Sequence, residues 1–388
     1  MKKSKEGSPA FLDWLPLGRM MGDWKQPEEN SIEALQHGIL FGDGVEFDIR
    51  VDGDGELVIF HDEFAPGESP IMERCVERLP TDYLKSTGIP TLSDLLSNRE
   101  FTESWQSGGK TVDIEIKLPH PSTKIGTIDY LSTIMGKLEA ALEPLDIPDR
   151  SVVVSCFSPK IGAAAKSSSF SIPVIRLMPH IRAWGRFWRL KRVVAVPHFA
   201  RTTVKGITRS LRKEGMESIG MALDYLEGWP RFIHPGLPVG LRGRGLKRFF
   251  EARQGMGAFV WSAPLKHEDA LVNAGVSLVS DDMDPTVLVK PDGTPRWPRP
   301  ASQPLDEEWS DRISKAGPLE RDDIMREAFS SLPMWSDIES ERRRRIIEEQ
   351  STRMLWPGST EKWVRLAEDG LPWGSPRIIG HRGSGSTH

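Results

Sequence analysis

The chain has 388 residues, of which 38% are hydrophobic and 27% charged; this balance excludes an intrinsically disordered chain, and no apolar run is long enough for a membrane-spanning helix. Its 51 basic and 55 acidic side chains give a net charge of −4, which argues against a dedicated nucleic-acid binder. Two cysteines, Cys75 and Cys156, are too few for a disulfide framework. The basic N-terminus is followed by no apolar stretch of signal-peptide length, so we expect a cytoplasmic location.

Short apolar runs alternate with helix-length segments along most of the chain, a pattern typical of a parallel α/β fold. Most of these runs are almost entirely apolar, as expected for strands that are buried on both faces. The predicted strands are 44–51, 57–61, 111–117, 151–157, 172–178, 218–225, 258–262 and 276–281.

The first two predicted strands are joined by Asp52-Gly53-Asp54-Gly55, which is a hairpin sequence. We therefore interpret the second of them as an excursion outside the main sheet. The remaining seven strands, with one more, would close a (β/α)8 TIM barrel of about 250 residues. The barrel is predicted at residues 11–290.

Beyond residue 290 the sequence changes to a linker rich in proline, glycine and tryptophan, followed by helical segments. This pattern predicts a C-terminal helical appendage at residues 300–375. The appendage is too aromatic for a free tail, so we expect it to dock on the barrel. Its tryptophans are Trp309, Trp335, Trp356, Trp363 and Trp373.

Acidic residues on two predicted strands indicate a metal site. Glu46 and Asp48 are two residues apart on one strand, so both side chains point to the same face, into the barrel. Buried like charges repel strongly unless a cation lies between them. Glu115, at the end of the next barrel strand, would add a third oxygen, and an all-carboxylate site suits Mg²⁺ or Ca²⁺. The alternative is a set of salt-bridged strand ends, with Lys117 or Arg50 as partners.

The motifs around these carboxylates resemble those of the glycerophosphodiester phosphodiesterase family. The resemblance spans roughly residues 27–285. Each motif alone is short and moderately specific, but together, in this order and spacing, the motifs are strong evidence for the resemblance. They are PEENS at 27–31, GDGVEFDIRVDGDGELVIFHDE at 42–63, IPTLSDLL from 89, DIEIK at 113–117, and then VVVSCFSP, FVWSA and AGVSLVSDD.

This resemblance implies a TIM barrel of the phospholipase-C-like phosphodiesterase type. It also implies a metal-dependent hydrolase that releases glycerol 3-phosphate and an alcohol from glycerophosphodiesters. Glu46, Asp48 and Glu115 match the family's divalent-metal ligands. The expected partner is a glycerophosphodiester or another phospholipid-derived small molecule.

His61 matches the histidine of the family's His-Asp motif, which acts as a catalytic acid or base. A histidine can exchange a proton near neutral pH, and loss of an alkoxide from a phosphodiester needs a proton donor. We expect Lys117 to face a phosphoryl oxygen as a point charge, and Trp261 matches a position that lines the site. The alternatives are a surface histidine, a lysine that only pairs with Glu115, and a tryptophan packed in the barrel core.

The remaining histidines show no metal-ligand spacing, so surface or capping roles are expected for them. Those considered are His37, His120, His180, His198, His234 and His267.

One family motif stands in an unexpected place. Family members begin with an apolar strand that ends in His-Arg-Gly, a few residues before the Pro-Glu-Asn motif. Here Met20-Met21-Gly22 takes that position, and methionine can neither transfer a proton nor bind phosphate. The last thirteen residues, however, read PRIIGHRGSGSTH, an apolar run followed by His381 and Arg382.

Three explanations of this C-terminal segment are open. Residues 376–388 could be a permuted first strand that brings His381 and Arg382 into the active site. They could instead begin a truncated second copy of the domain, or the likeness could be accidental or serve a contact between chains. Loop closure becomes only slightly more costly with length, so the ~95 intervening residues do not prohibit the first explanation.

In the permuted arrangement, His61 and His381 would share proton removal and proton donation. Arg382 and Lys117 would stabilise the negative charge that develops on the phosphate. Two alternatives to the hydrolase are a non-catalytic barrel that binds lipid head groups or a protein partner, and a lipid-cleaving lyase that yields a cyclic phosphate.

Residues 180–215 form a basic insert, since the stretch 176–213 holds eleven lysines or arginines and no acidic residue. Within it Trp184, Phe187 and Trp188 recur at helical spacing. Residues 180–192 are therefore expected either to lie on an anionic membrane surface or to form a solvated lid helix packed by its aromatic face.

Overall fold

The structure, a computed structural model, describes residues 24–178, 203–228, 231, 237–317, 320–352, 359–367 and 370–385. The strands of this part of the chain belong to one sheet. They are β1 (Gly44–Val51), β2 (Leu57–Ile59), β3 (Thr111–Ile116), β4 (Val152–Cys156), β5 (Val174–Arg176), β6 (Ser218–Ala222), β7 (Gly257–Ala263), β8 (Ser277–Ser280) and β9 (Ile378–Gly380).

Eight of these strands follow one another in the order β5-β4-β3-β1-β9-β8-β7-β6, and every pairing within this order is parallel. The two ends of the order meet through a parallel bridge between Leu177 and Gly220, where the Met178 N–H donates to the Gly220 carbonyl at 2.8 Å. The predicted eight-stranded α/β barrel is thus confirmed. Strand β2 pairs antiparallel with β1 outside the barrel order, as its hairpin sequence predicts.

Helices cover the outside of the barrel and pack apolar faces on the strands, as in α/β barrels generally. Ser31 caps the first of them by accepting a hydrogen bond from the Ala34 N–H. The barrel helices are α1 (Ile32–Phe41), α2 (Thr81–Ser86), α3 (Leu92–Leu96), α4 (Arg99–Gln106), α5 (Thr127–Leu142), α6 (Ile161–Ser167), α7 (Val204–Lys213), α8 (Gly243–Arg253) and α9 (Glu268–Asn273).

The C-terminal appendage contains α10 (Glu307–Lys315), α11 (Arg321–Ser331), α12 (Ser340–Thr352) and α13 (Ser359–Leu366). Its Trp335 and Trp363 are buried in one apolar cluster with Phe250 of α8. Trp373 packs its ring against Phe259 of β7, with centroids 6.0 Å apart. The appendage therefore packs directly on the barrel wall, and these tryptophans contribute to its attachment.

Trp309 lies on α10, where the Arg312 guanidinium is 4.2 Å from the centre of its ring. Trp356 lies outside the described residues. Among the residues that the structure describes, no helix is long and apolar enough to cross a membrane.

The last strand in the sequence, β9, lies between β1 and β8 in the barrel. Gly44 of β1 pairs with Ile379, and Leu278 of β8 pairs with Ile378. Both isoleucines are buried, as expected for neighbouring residues of a barrel strand that is covered on both faces. The C-terminal segment thus supplies the eighth barrel strand, whereas residues 17–22, the other candidate, lie outside the described residues.

A buried carboxylate, Asp43, joins the base of this strand to its neighbours. Its side chain accepts hydrogen bonds from the Ile378 N–H at 3.0 Å, the Ser302 N–H at 2.7 Å and the Ser302 hydroxyl at 2.8 Å. Its own N–H donates to the Ile378 carbonyl at 2.7 Å. Asp43 therefore connects the start of β1, the linker and the start of β9, and we refer to this set of contacts as the Asp43 clasp.

Candidate active site

Strands β1 and β3 bring three carboxylates together, and we call them the carboxylate cluster. An oxygen from each of Glu46, Asp48 and Glu115 lies within 4.8 Å of an oxygen of the other two. The parallel register pairs Asp48 with Glu115, which explains their proximity. Glu46 and Asp48 are only 4% and 1% exposed, because alternate residues of β1 point into the barrel.

Among the described residues, Lys117 is the cation with the shortest contact to the carboxylate cluster. Its ammonium lies 2.9 Å from Asp48 Oδ1 and 2.6 Å from Glu115 Oε1. Burial alone would lower the pKa of Lys117, but these two carboxylates raise it above its ordinary value, so the lysine stays charged. Arg50, the other expected partner, forms its ion pair with Glu77 instead.

The cluster holds three carboxylates close together in a buried space, which affects their pKa values. Burial, and next the charge of Asp48, raise the pKa of Glu46 to about 8. Burial would also raise the pKa of Asp48, but Lys117 and then His61 and Arg382 hold it below its ordinary value. A further cation beside Glu46 would favour the charged form of its side chain.

This donor set fits a divalent cation. Metal–oxygen distances of roughly 2.0–2.6 Å place oxygens on opposite sides of an ion about 4–5 Å apart, which the spacing of the cluster allows. Hard oxygen ligands of this kind suit hard divalent cations. Glu46, Asp48 and Glu115 could therefore hold such an ion.

His381, directly after β9, points its ring between two carboxylates. Its Nδ1 lies 2.5 Å from Asp281 Oδ1, and its Nε2 lies 3.8 Å from Glu46 Oε2. Burial would lower the pKa of His381, but the bond to Asp281 and the charge of Glu46 raise it above its ordinary value. A histidine held in this way by a carboxylate keeps its second nitrogen directed at the cluster.

Arg382 binds the cluster through both its backbone and its side chain. Its N–H donates to Glu46 Oε2 at 3.0 Å, its guanidinium donates to Glu29 at 2.9 Å, and its Nε lies 3.2 Å from Asp48 Oδ2. The Asn30 N–H donates to the Arg382 carbonyl at 3.0 Å. The PEENS segment and the C-terminal motif are thus bound to each other, although they are more than 350 residues apart in the sequence.

The C-terminal His-Arg-Gly motif requires a glycine at its third position for steric reasons. Gly383 has a φ of +93°, and a Cβ atom built there would overlap the backbone of Ala34 and Leu35 in α1. Only glycine fits both this conformation and this close approach. The turn after β9 can therefore lie directly on α1.

His61 follows the excursion strand β2 and lines the same cleft as Glu115 and Lys117. Its Nδ1 is 2.7 Å from Asp62 Oδ1, and its carbonyl accepts a bond from Arg50 at 3.1 Å. A charge on His61 helps to lower the pKa of Asp48. Trp261 is half-buried and packs edge-on against Phe157, with ring centroids 5.5 Å apart, and it also contacts the barrel core.

Part of this site faces an open cleft of about 690 Å³ at the carboxyl ends of β1, β3 and β4. This volume is within the range of about 300–1,000 Å³ that small-molecule sites have. His61, Glu115 and Lys117 line it directly.

The expectation for one histidine is wrong. His37 was expected at the surface or in a cap, but it is fully buried, with Nε2 2.6 Å from the Met283 carbonyl and its ring stacked on Phe41. Burial lowers its pKa to about 4. His37 lies on the face of α1 that packs against the barrel, and the spacing of histidines contains no information about that face.

His120 does serve as a cap, since its Nδ1 accepts a hydrogen bond from the Ser122 N–H at 3.2 Å. His267 is half-buried before α9. His180, His198 and His234 lie outside the described residues, as does the basic stretch 180–192.

Sequence reasoning missed two acidic residues near the cluster. Asp113 is buried two residues before Glu115 on β3, and burial raises its pKa to about 7. The rule that alternate residues share a face, applied to β1, would have identified it on β3 as well. Asp281 was not singled out, because its partnership with His381 depends on the pairing of β8 with β9.

Comparison with known families identifies part of the chain. Residues 19–196 match the model of the glycerophosphoryl diester phosphodiesterase family. This segment, which is less than half of the chain, is similar to a domain of that family. The match indicates an enzyme of the phosphodiesterase class of hydrolases. The comparison with curated proteins gives no match.

Several solved structures are similar to this chain at low sequence identity. A glycerophosphodiester phosphodiesterase from Parabacteroides distasonis is 16% identical, with 68% of this chain and 90% of that chain covered and a TM-score of 0.46. A phosphodiesterase from Oleispira antarctica in complex with the product sn-glycerol-3-phosphate is 15% identical, with 67% and 90% covered and a TM-score of 0.42. A glycerophosphodiester phosphodiesterase from Thermotoga maritima is 14% identical, with 66% and 89% covered and a TM-score of 0.41.

Proposed function

We propose that this protein is a metal-dependent glycerophosphodiester phosphodiesterase that releases glycerol 3-phosphate and an alcohol. The observation that carries the proposal is the convergence of two distant segments on one cluster. His381 and Arg382 contact Glu46, while Lys117 contacts Asp48 and Glu115. The family match of residues 19–196 supports the same activity.

Glu46, Asp48 and Glu115 are the residues that would hold Mg²⁺ or Ca²⁺. When bound, the cation would polarise the phosphoryl oxygens. Lys117 and Arg382 bring two further positive charges to the same position, where they stabilise the negative charge that develops during displacement at phosphorus.

His61 and His381 supply the proton transfers, one taking a proton from the nucleophile and the other giving one to the leaving alkoxide. Asp281 supports this role for His381, because its bond to Nδ1 holds the ring with Nε2 towards the cluster. We assign Trp261 to the substrate-binding wall of the site, beside Phe157.

We further propose that residues 11–290 and 376–388 together form one catalytic barrel, in which the C-terminal segment is a permuted first strand. Residues 300–375 then act as the bridge that carries this segment back to the barrel. The burial of Trp335 and Trp363 against Phe250 supports this role for the appendage.

Residues 180–192, which lie outside the described residues, are proposed to contact an anionic membrane. Liposome co-sedimentation tests this proposal, and binding that does not depend on anionic lipid or on salt would contradict it. A cytoplasmic location stays a prediction.

The activity is tested by release of glycerol 3-phosphate from glycerophosphocholine, before and after chelation of divalent ions. We expect turnover to be lost on chelation and restored by Mg²⁺ or Ca²⁺. Glu115→Gln should weaken calorimetric binding of the ion as well as turnover, since a neutral amide is a poorer ligand for a hard cation.

The remaining outcomes separate the rival functions. A cyclic phosphate as the end product, detected by ³¹P NMR, would indicate a lyase. Complete inactivity on several glycerophosphodiesters with either metal would favour a non-catalytic barrel and would overturn the proposal.

A further inference from the structure

One wall of the catalytic cleft is apolar although it is open to solvent. It begins with Phe64 and Ile71 in the segment after β2 and continues with Leu118 after β3 and Phe157 after β4. Ile71, Leu118 and Phe157 are 55%, 37% and 42% exposed, so they are among the exposed large apolar side chains of the described residues. We call these four side chains the apolar wall.

The apolar wall is preformed. The Leu118 carbonyl accepts a hydrogen bond from Arg50 at 2.9 Å, which fixes the backbone beneath that side chain. The Phe64 ring packs on His120 with centroids 5.0 Å apart, and Phe157 packs on Trp261. Binding against this surface therefore requires little ordering of the protein.

Several polar side chains of the cleft already have partners within the protein. Lys117 pairs with Asp48 and Glu115, His61 with Asp62, and Arg50 with Glu77. Arg74 donates to the Ala65 carbonyl. The cleft thus combines charged groups, beside which a phosphate would react, with apolar side chains that a fully polar substrate would leave in contact with water.

We propose that the apolar wall binds a hydrocarbon arm of the substrate, so that the preferred phosphodiester carries an alkyl or acyl chain next to the scissile group. Exposed apolar patches beside a reactive site are typical of ligand-binding surfaces, and this wall lines the same cleft as His61 and Lys117. This inference rests on the proposed phosphodiesterase function and adds the substrate class to it.

The hydrocarbon chain could be attached to the glycerol or to the leaving alcohol of the substrate. Three substrates distinguish these two possibilities. Glycerophosphocholine has no chain, 1-hexanoyl-glycerophosphocholine has one on the glycerol, and glycerophosphohexanol has one on the leaving alcohol. The whole protein, supplied with the metal that supports turnover, should show a higher kcat/KM for at least one of the two chain-bearing substrates. The expected gain is about fourfold for each methylene that the wall buries.

Two variants test whether the wall itself causes this preference. Ile71→Ser and Leu118→Ser should each reduce the ratio of kcat/KM between the preferred chain substrate and glycerophosphocholine several-fold. The matched control is Ile128→Ser, because Ile128 is 40% exposed and does not line the cleft. The control should retain the wild-type ratio, and thermal unfolding should be measured for all three to verify that they are folded.

Each contrary result has a distinct meaning. If glycerophosphocholine is turned over and neither hydrocarbon chain raises kcat/KM, this inference is overturned and the proposed function is left intact. A chain preference that persists in Ile71→Ser and Leu118→Ser would also overturn it, since another surface would then bind the chain. Absence of turnover on all three substrates would overturn the proposed function itself, and this inference with it.

Discussion

The candidate site is assembled from two regions that are held in place by different means. Strands β1 and β3 share six paired residues, and this long ladder fixes the carboxylate cluster. Strand β9 has only three residues, with two paired to β1 and three to β8. Further hydrogen bonds supplement this short ladder at both ends.

At its base, the Asp43 clasp holds Ile378, and the buried Arg377 donates to the carbonyls of Leu371, Pro372 and Ser375. At its other end, the Asn30 N–H donates to the Arg382 carbonyl. Metal binding should therefore depend mainly on the β1–β3 region, and proton transfer on the β9 region. Mutations should separate the two functions.

The largest effect is expected for His381→Ala. Removing a general acid or base should lower kcat by about 10²- to 10⁴-fold, while calorimetric metal binding stays near that of the wild type because Glu46, Asp48 and Glu115 remain. His267→Ala is the matched control, since His267 lies outside the cleft, and it should leave kcat unchanged. Equal losses of metal binding and turnover in His381→Ala would remove the distinction between the two regions.

A smaller effect is expected for Asp43→Asn, which weakens the attachment of β9 without touching the cluster. An asparagine cannot accept bonds from both Ser302 and Ile378 as the carboxylate does, so a buried N–H loses its partner, at a cost of roughly 1–3 kcal/mol in the free energy of unfolding. We expect kcat to fall several-fold as His381 becomes less well positioned.

Ser302→Ala is the control for this change, because it removes one bond to Asp43 but none to β9. It should cost less, about 1 kcal/mol, and leave kcat unchanged. The same drop in kcat for both variants would mean that Asp43 acts only through general stability.

The barrel was predictable from the sequence because its strands are buried on both faces and therefore appear as continuous apolar runs. Strand ends were less well predicted: β2 was expected over 57–61 but ends at Ile59, so His61 lies beyond the strand. The carboxylate cluster could be predicted because the alternation of side chains along one strand fixes which residues share a face.

Contacts between segments that are distant in the sequence could not be predicted from the apolar runs or from the alternation of side chains. The Asp43 clasp, the bond between Asp281 and His381, and the burial of His37 all depend on how β9 and α1 pack. The motif at residues 381–383 revealed that the C-terminal segment has the required chemistry. Its position between β1 and β8 required the strand pairings.

The central claim is that both ends of one chain complete a single active site. It is tested most directly by the turnover of glycerophosphocholine by His381→Ala, by Glu115→Gln, and by an equimolar mixture of the two. If each chain uses its own C-terminal strand, both variants and their mixture should have less than about 1% of the wild-type kcat. Wild-type turnover by His381→Ala, or recovery of activity in the mixture, would contradict the claim.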